Sequence, residues 1–101
     1  IYLHVRIIAI KKLKGFWLKH PDAEQALRAW YKETEVADWK KPNDITRYYR
    51  TASILASNRV VFNIKGNDYR LITTINYDYK IVYIRFIGTH KEYDRINAED
   101  I

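Results

Sequence analysis

No cysteine occurs among the 101 residues. A disulfide scaffold, a thiolate zinc site and a cysteine nucleophile are therefore excluded. That composition suits a reducing compartment, and a cytoplasmic location is expected. Glycine and proline are scarce, at 3 and 2 residues, and neither a low-complexity stretch nor an internal repeat appears. Order is expected everywhere except at the ends. No apolar run approaches the roughly 20 residues of a membrane helix. The apolar opening IYLHVRIIAI is interrupted by His4 and Arg6 and is followed by no small-residue cleavage site, so no signal peptide is expected. The P-loop, G-x-G-x-x-G and G-x-S-x-G signatures are missing. The histidines His4, His20 and His90 show no H-E-x-x-H spacing. Neither a metal nor a cofactor is expected.

What is abundant points elsewhere. The formal charge is +6 with a pI near 9.6, and the basic residues are spread along the chain. Such a balance favours an anionic partner, of which nucleic acid is the commonest large one. Tyrosine is the dominant aromatic, 9 against 3 Trp and 3 Phe. Its flat face and polar tip suit stacking on bases as well as half-buried sites. The length suits a single domain spanning 1–101.

Helix signals come first and strand signals second. Residues 2–8 alternate as a short strand. KKLKGFWLKH places Leu13, Phe16 and Trp17 on one helical face, with Gly15 against it. In HPDAEQALRAWYKETEV, Pro21 and Asp22 are start residues, Gln25 can close a capping box with Asp22, and Ala23, Leu27, Trp30 and Thr34 form one stripe. Pro42 ends this region, and Asn43 or Asp44 can cap a short helix toward Tyr49. Residues 51–58 carry no clear signal. RVVFNI, DYRLITTINY and KIVYIRFIG then read as three antiparallel strands, with KGND as a turn in which Gly66 and Asn67 tolerate positive φ. The order implies an α+β fold, with N-terminal helices packed on one face of a small, mainly antiparallel β-sheet. The other face is left partly open to solvent or a ligand.

Side chains alternate along a strand. Val82, Ile84 and Phe86 would share an apolar face toward the helices, with Ile81, Tyr83, Arg85 and Ile87 on the other. Arg70 lies on the preceding strand with Ile72, Thr74 and Asn76 on its face. Two arginines side by side would repel, and an anion between them would relieve this. Pairing of each with an acid, Asp68 or Glu92, is the alternative. His90 follows the last strand in RFIGTHKEYDRI. It is either a histidine capping the strand end or a proton-transfer group.

RNA carries its own nucleophile, the 2′-OH. Cleavage needs a proton acceptor, cations at the phosphate and a proton donor for the departing 5′ oxygen. His90 suits proton transfer, Arg70 and Arg85 suit a phosphate, Lys91 and Lys65 add positive potential, and Tyr93 can stack or donate.

The segments NIKGNDYRLI (63–72) and VYIRFIGTHKEYD (82–94) resemble the HigB-type branch of the RelE-like toxins. FWLKHPDAEQAL and DWKKPNDI resemble that family's helical half, so the likeness covers nearly the whole chain. The resemblance implies the RelE-like toxin fold and the toxin half of a type II toxin–antitoxin pair. It implies an mRNA endoribonuclease that works by metal-independent 2′-OH attack, in association with the ribosome. The implied partners are mRNA and a HigA-type helix-turn-helix antitoxin, with operator DNA reached only through the antitoxin and no membrane. It also implies His90, Arg85, Arg70 and Tyr93 as catalytic candidates, to which charge adds Lys91, and Asn67 and Asn63 as RNA-binding candidates, to which charge adds Lys65. Asn67 can instead serve the turn, and Asp94 can cap the helix or pair with Arg95. A module that binds RNA, the ribosome or an antitoxin without catalysis is the alternative.

Overall fold

The computed structural model describes residues 4–101. Strand β1 (Arg6–Ile8) leads into helix α1 (Ile10–Lys19). A 3-10 turn (Pro21–Ala23) then opens α2 (Glu24–Glu35), followed by α3 (Pro42–Tyr48). Strands β2 (Ser53–Ile54), β3 (Arg59–Ile64), β4 (Tyr69–Asn76) and β5 (Ile81–Thr89) complete the sheet, and a single helical turn, α4 (His90–Tyr93), follows β5. The sheet order is β1-β5-β4-β3-β2. β3, β4 and β5 form the expected antiparallel meander, β2 adds an antiparallel edge, and β1 joins β5 in parallel. The fold is α+β. β2 falls in the segment that carried no signal, and Tyr2 and Leu3 of the expected first strand lie outside the described residues.

The helical layer forms as the periodicity demands. Leu13 and Trp17 of α1, Ala23 before α2, and Leu27, Trp30 and Thr34 of α2 are all buried. All of these but Thr34 meet Val60, Phe62, Ile64, Tyr69, Leu71, Ile75, Val82 and Ile84 from one face of the sheet. Each fully buried apolar side chain in this layer is worth on the order of 1.5–3 kcal/mol. Gly15 sits on the exposed side of α1, where an added Cβ would meet open space, so its effect is limited to backbone entropy. No helix among the described residues is long and apolar enough to cross a membrane.

Four local expectations are corrected. Asp22 does not cap α2: it lies inside the 3-10 turn, no side chain caps that turn or α2, and its carboxylate reaches other elements. α3 begins at Pro42, with Lys41 at the cap position, while Asp44 accepts the backbone N–H of Lys40 at 2.9 Å. In the β3–β4 turn the positive φ angles fall on Lys65 (53°) and Gly66 (64°), not on Asn67.

The fourth concerns β5. Ile72 pairs with Phe86 but Thr73 pairs with Ile84, so the β4–β5 ladder skips Arg85. This one-residue bulge reverses the alternation beyond it. Val82 and Ile84 face the helices as expected. Phe86 turns to the opposite face, where it packs with Val61, Ile72, Tyr93, Ile96 and Ala98, and Ile87 turns to the helical core. The sheet's second face is thus partly covered by the chain that follows α4.

Candidate active site at the end of the sheet

The β3–β4 turn, the end of β5 and α4 converge at one end of the sheet. Asn63 pairs with Arg70, and Arg70 pairs with Gly88 across the next ladder. The three positions share the face opposite the helices. The half-buried Arg70 donates from Nη1 to the carbonyls of Asn67 (3.0 Å) and Tyr69 (3.4 Å), and its guanidinium lies 5.8 Å from the Tyr93 ring centroid. These partners carry no negative charge. Its remaining guanidinium donors can therefore serve an incoming anion.

α4 is built to hold its side chains in place. Thr89 accepts the Glu92 N–H through Oγ1 (3.2 Å), and Glu92 accepts the Thr89 N–H (2.8 Å), which closes a capping box. The bond from the Thr89 N–H holds the Glu92 carboxyl below its ordinary range. Gly88 lets this turn close against the strand. An added Cβ there would overlap the Phe86 ring and lie 3.1 Å from Glu92 Oε1. His90 is the first residue of the turn, and its backbone N–H donates to the Asp68 carbonyl on the neighbouring turn (3.2 Å). The imidazole is exposed, not tucked under the strand end, and its Nδ1 stands 3.0 Å from Asp94 Oδ2. Asp94 therefore pairs with His90 and not with Arg95. Lys91 is exposed on the same turn, and Tyr93 is half-buried against the second-face cluster.

Two candidates stand apart from this group. Arg85 lies three residues before Gly88 on β5, so it is about 10 Å along the strand from the position opposite Arg70. Ile72 and Phe86 lie between. The two arginines are not side by side, and neither pairs with Asp68 or Glu92. Arg85 donates from Nε to Thr74 Oγ1 (2.9 Å), and its guanidinium lies 5.5 Å from the Tyr83 ring centroid. It borders a polar groove of about 490 Å³ with Asn58, Thr74, Asn76 and Tyr83.

Lys65 turns to the helical side. Its Nζ pairs with Asp22 (2.8 Å) and Asp68 (3.5 Å), and Asp22 also accepts from the Tyr69 hydroxyl (2.6 Å). The Asp22 carboxyl is held low by Lys65 and then by Tyr69, whereas Lys65 and Tyr69 are pushed up by Asp22. Lys65 is thereby a tie between layers. Asn67 is exposed in the turn and contributes its carbonyl to Arg70.

Other groups come into view only in three dimensions. Lys12 of α1 donates from Nζ to the Arg85 carbonyl (3.3 Å). With Lys19, Phe16 and His20 it lines a cleft of about 390 Å³ beside Arg85 and Glu92. The lysine spacing on α1 was legible, but not which strand it would face.

The fold and this cluster define a small, basic α+β protein with a cationic, histidine-bearing sheet end. A family model described as the HigB toxin, the RelE-like toxic component of a toxin–antitoxin system, matches residues 23–96, and the chain belongs to that family. It is 28% identical to the mRNA interferase toxin HigB of Escherichia coli K12 over 96 residues, covering 93% of this chain and 92% of that protein. The mRNA interferase HigB of Shigella flexneri is matched with the same identity and coverage.

Proposed function

We propose that this protein is an mRNA endoribonuclease, the toxin of a toxin–antitoxin pair in the cytoplasm, and that it cleaves at the sheet end that carries Arg70, His90 and Tyr93. The observation that carries the reading is the half-buried Arg70 with neutral partners, on the ladder position beside Gly88 and under the turn that carries His90. Family membership supports an antitoxin partner, and the relatives' names support mRNA as substrate. A HigA-type antitoxin and a ribosome-bound substrate extend the same reading.

In the reaction the 2′ oxygen of the substrate attacks the adjacent phosphorus as the P–O5′ bond breaks. The products are a 2′,3′-cyclic phosphate and a 5′-OH. Arg70 offsets the charge that builds on the phosphate oxygens, His90 moves a proton, and Tyr93 stacks on a base. Lys91 adds positive potential. Arg85, on its own groove beyond Phe86, holds the RNA strand away from the cleaved bond, with Asn63 and Asn67 nearer to it.

The test uses the protein freed of antitoxin, with mRNA alone and with translating ribosomes, and maps the new ends. Specific cuts bearing cyclic phosphate are expected. His90→Ala and Arg70→Ala should each lower cleavage by about 10²-fold or more, with RNA binding largely kept. A folded protein that binds RNA and leaves it intact under both conditions would instead be a binding module, and the nuclease reading would be withdrawn.

A further inference from the structure

We propose that Asp94 is a positioning residue that selects the reacting nitrogen of His90, an inference that rests on the proton-transfer reading of His90 above. The α4 turn puts residues four apart on one side of the helix. Asp94 ends that turn, and its Oδ2 stands 3.0 Å from His90 Nδ1. A carboxylate has no hydrogen to give and repels a bare nitrogen lone pair at this distance, so the contact favours the tautomer with its hydrogen on Nδ1. The neutral imidazole then keeps its lone pair on Nε2, which becomes the proton acceptor. The sequence left the choice between acid and base open, and this contact decides it in favour of base.

The surrounding charges are consistent with that assignment. On α4 itself, Glu92 is engaged by the Thr89 N–H and Lys91 is solvent-exposed. From β4 and its turn, Arg70 sits over Tyr93, and Asp68 pairs with Lys65. β5 presents uncharged Gly88 and Thr89 at this end. Asp94 is therefore the carboxylate that contacts the ring. Nε2 takes the 2′-OH proton as the new O2′–P bond forms and the P–O5′ bond breaks. The departing 5′ oxygen takes a proton from water, and solvent returns His90 to its neutral form. The side chains of His90 and Asp94 are 51% and 57% exposed, so RNA can reach Nε2. Water also screens the pair, which limits its effect.

The measurement is the ¹⁵N spectrum of histidine-labelled protein together with single-turnover cleavage. Wild-type His90 should show the Nδ1–H tautomer in its neutral form. Asp94→Asn, whose amide can donate to Nδ1, should move the ring toward Nε2–H and lower the cleavage rate about tenfold, well under the 10²–10⁴-fold a general base supplies. RNA affinity and melting temperature should stay near wild type, and Asp94→Glu should restore both tautomer and rate. Should Asp94→Asn melt below the assay temperature, Asp94→Ala is expected to show the same loss of rate and of a fixed tautomer. If His90→Ala abolishes cleavage while Asp94→Asn changes neither tautomer nor rate, the positioning role is overturned and the nuclease reading stands. If His90→Ala leaves cleavage intact, both fall.

Discussion

Asp22 ties the start of the helical layer to the β3–β4 turn through the Lys65 ammonium and the Tyr69 hydroxyl. These partners lower its carboxyl from the ordinary 3.8. A carboxyl depressed in the folded state contributes stability that is present above its unfolded value and is lost as pH falls through the folded one. Asp22→Asn should therefore lower the melting temperature at neutral pH, with the gap to wild type closing as melts are repeated below pH 4. A gap that persists at low pH would mean that packing, not charge, is what Asp22 supplies. At this scale the sequence identifies a residue's chemistry but not its partner. Asp22 has the right spacing for a capping box with Gln25, yet lysine and tyrosine more than 40 positions away compete for it and win. His90 and Asp94 are the converse case. Their spacing of four was in view, but it becomes a contact only because Thr89 and Glu92 start a helix there.

Elements were more legible than contacts. The stripe Ala23, Leu27, Trp30 and Thr34 is buried along its full length because helical periodicity and burial are the same statement. The three strands of the meander appear where Val, Ile, Tyr and Thr concentrate. The bulge at Arg85 left no mark, since an inserted residue in a run of apolar side chains looks like more strand. It puts Phe86 on the face opposite to the one expected. The register of β4 against β5 is equally silent in the sequence, and it is the register, with Arg70 opposite Gly88, that separates Arg70 from Arg85. The short edge β2 is similarly silent, because two residues carry no period. Gly88 gives a test of how β5 and α4 fit. Gly88→Val should cost about 1–3 kcal/mol in urea denaturation, through overlap with the Phe86 ring. It should also reduce cleavage by pushing away the turn that carries His90. Unchanged stability would mean that Phe86 has another place to go.

For the whole molecule the governing quantity is charge. The net +6 includes four lysines on α1, which has no acid of its own, and Lys12 and Lys19 face the cleft beside Arg85. Affinity for single-stranded RNA should fall steeply with salt, with a log–log slope of about −0.7 per phosphate contacted. A slope near zero in a filter-binding titration would argue against the phosphate backbone as the main contact. The α+β class was readable from the order of helix and strand signals. The parallel pairing of β1 with β5 was not, because a three-residue strand does not announce its neighbour.

That pairing sets an order in time. Arg6–Ile8 takes its place beside Ile81–Tyr83, so the first described strand waits for the last before the sheet can close. A ribosome making this chain must pass residue 83 before β1 has this partner, and such distant contacts form slowly. The same late segment delivers Arg85 and His90. A chain interrupted before residue 81 therefore lacks both a closed sheet and its histidine. The RNA-cutting arrangement proposed above is completed only once β5 and α4 have been made.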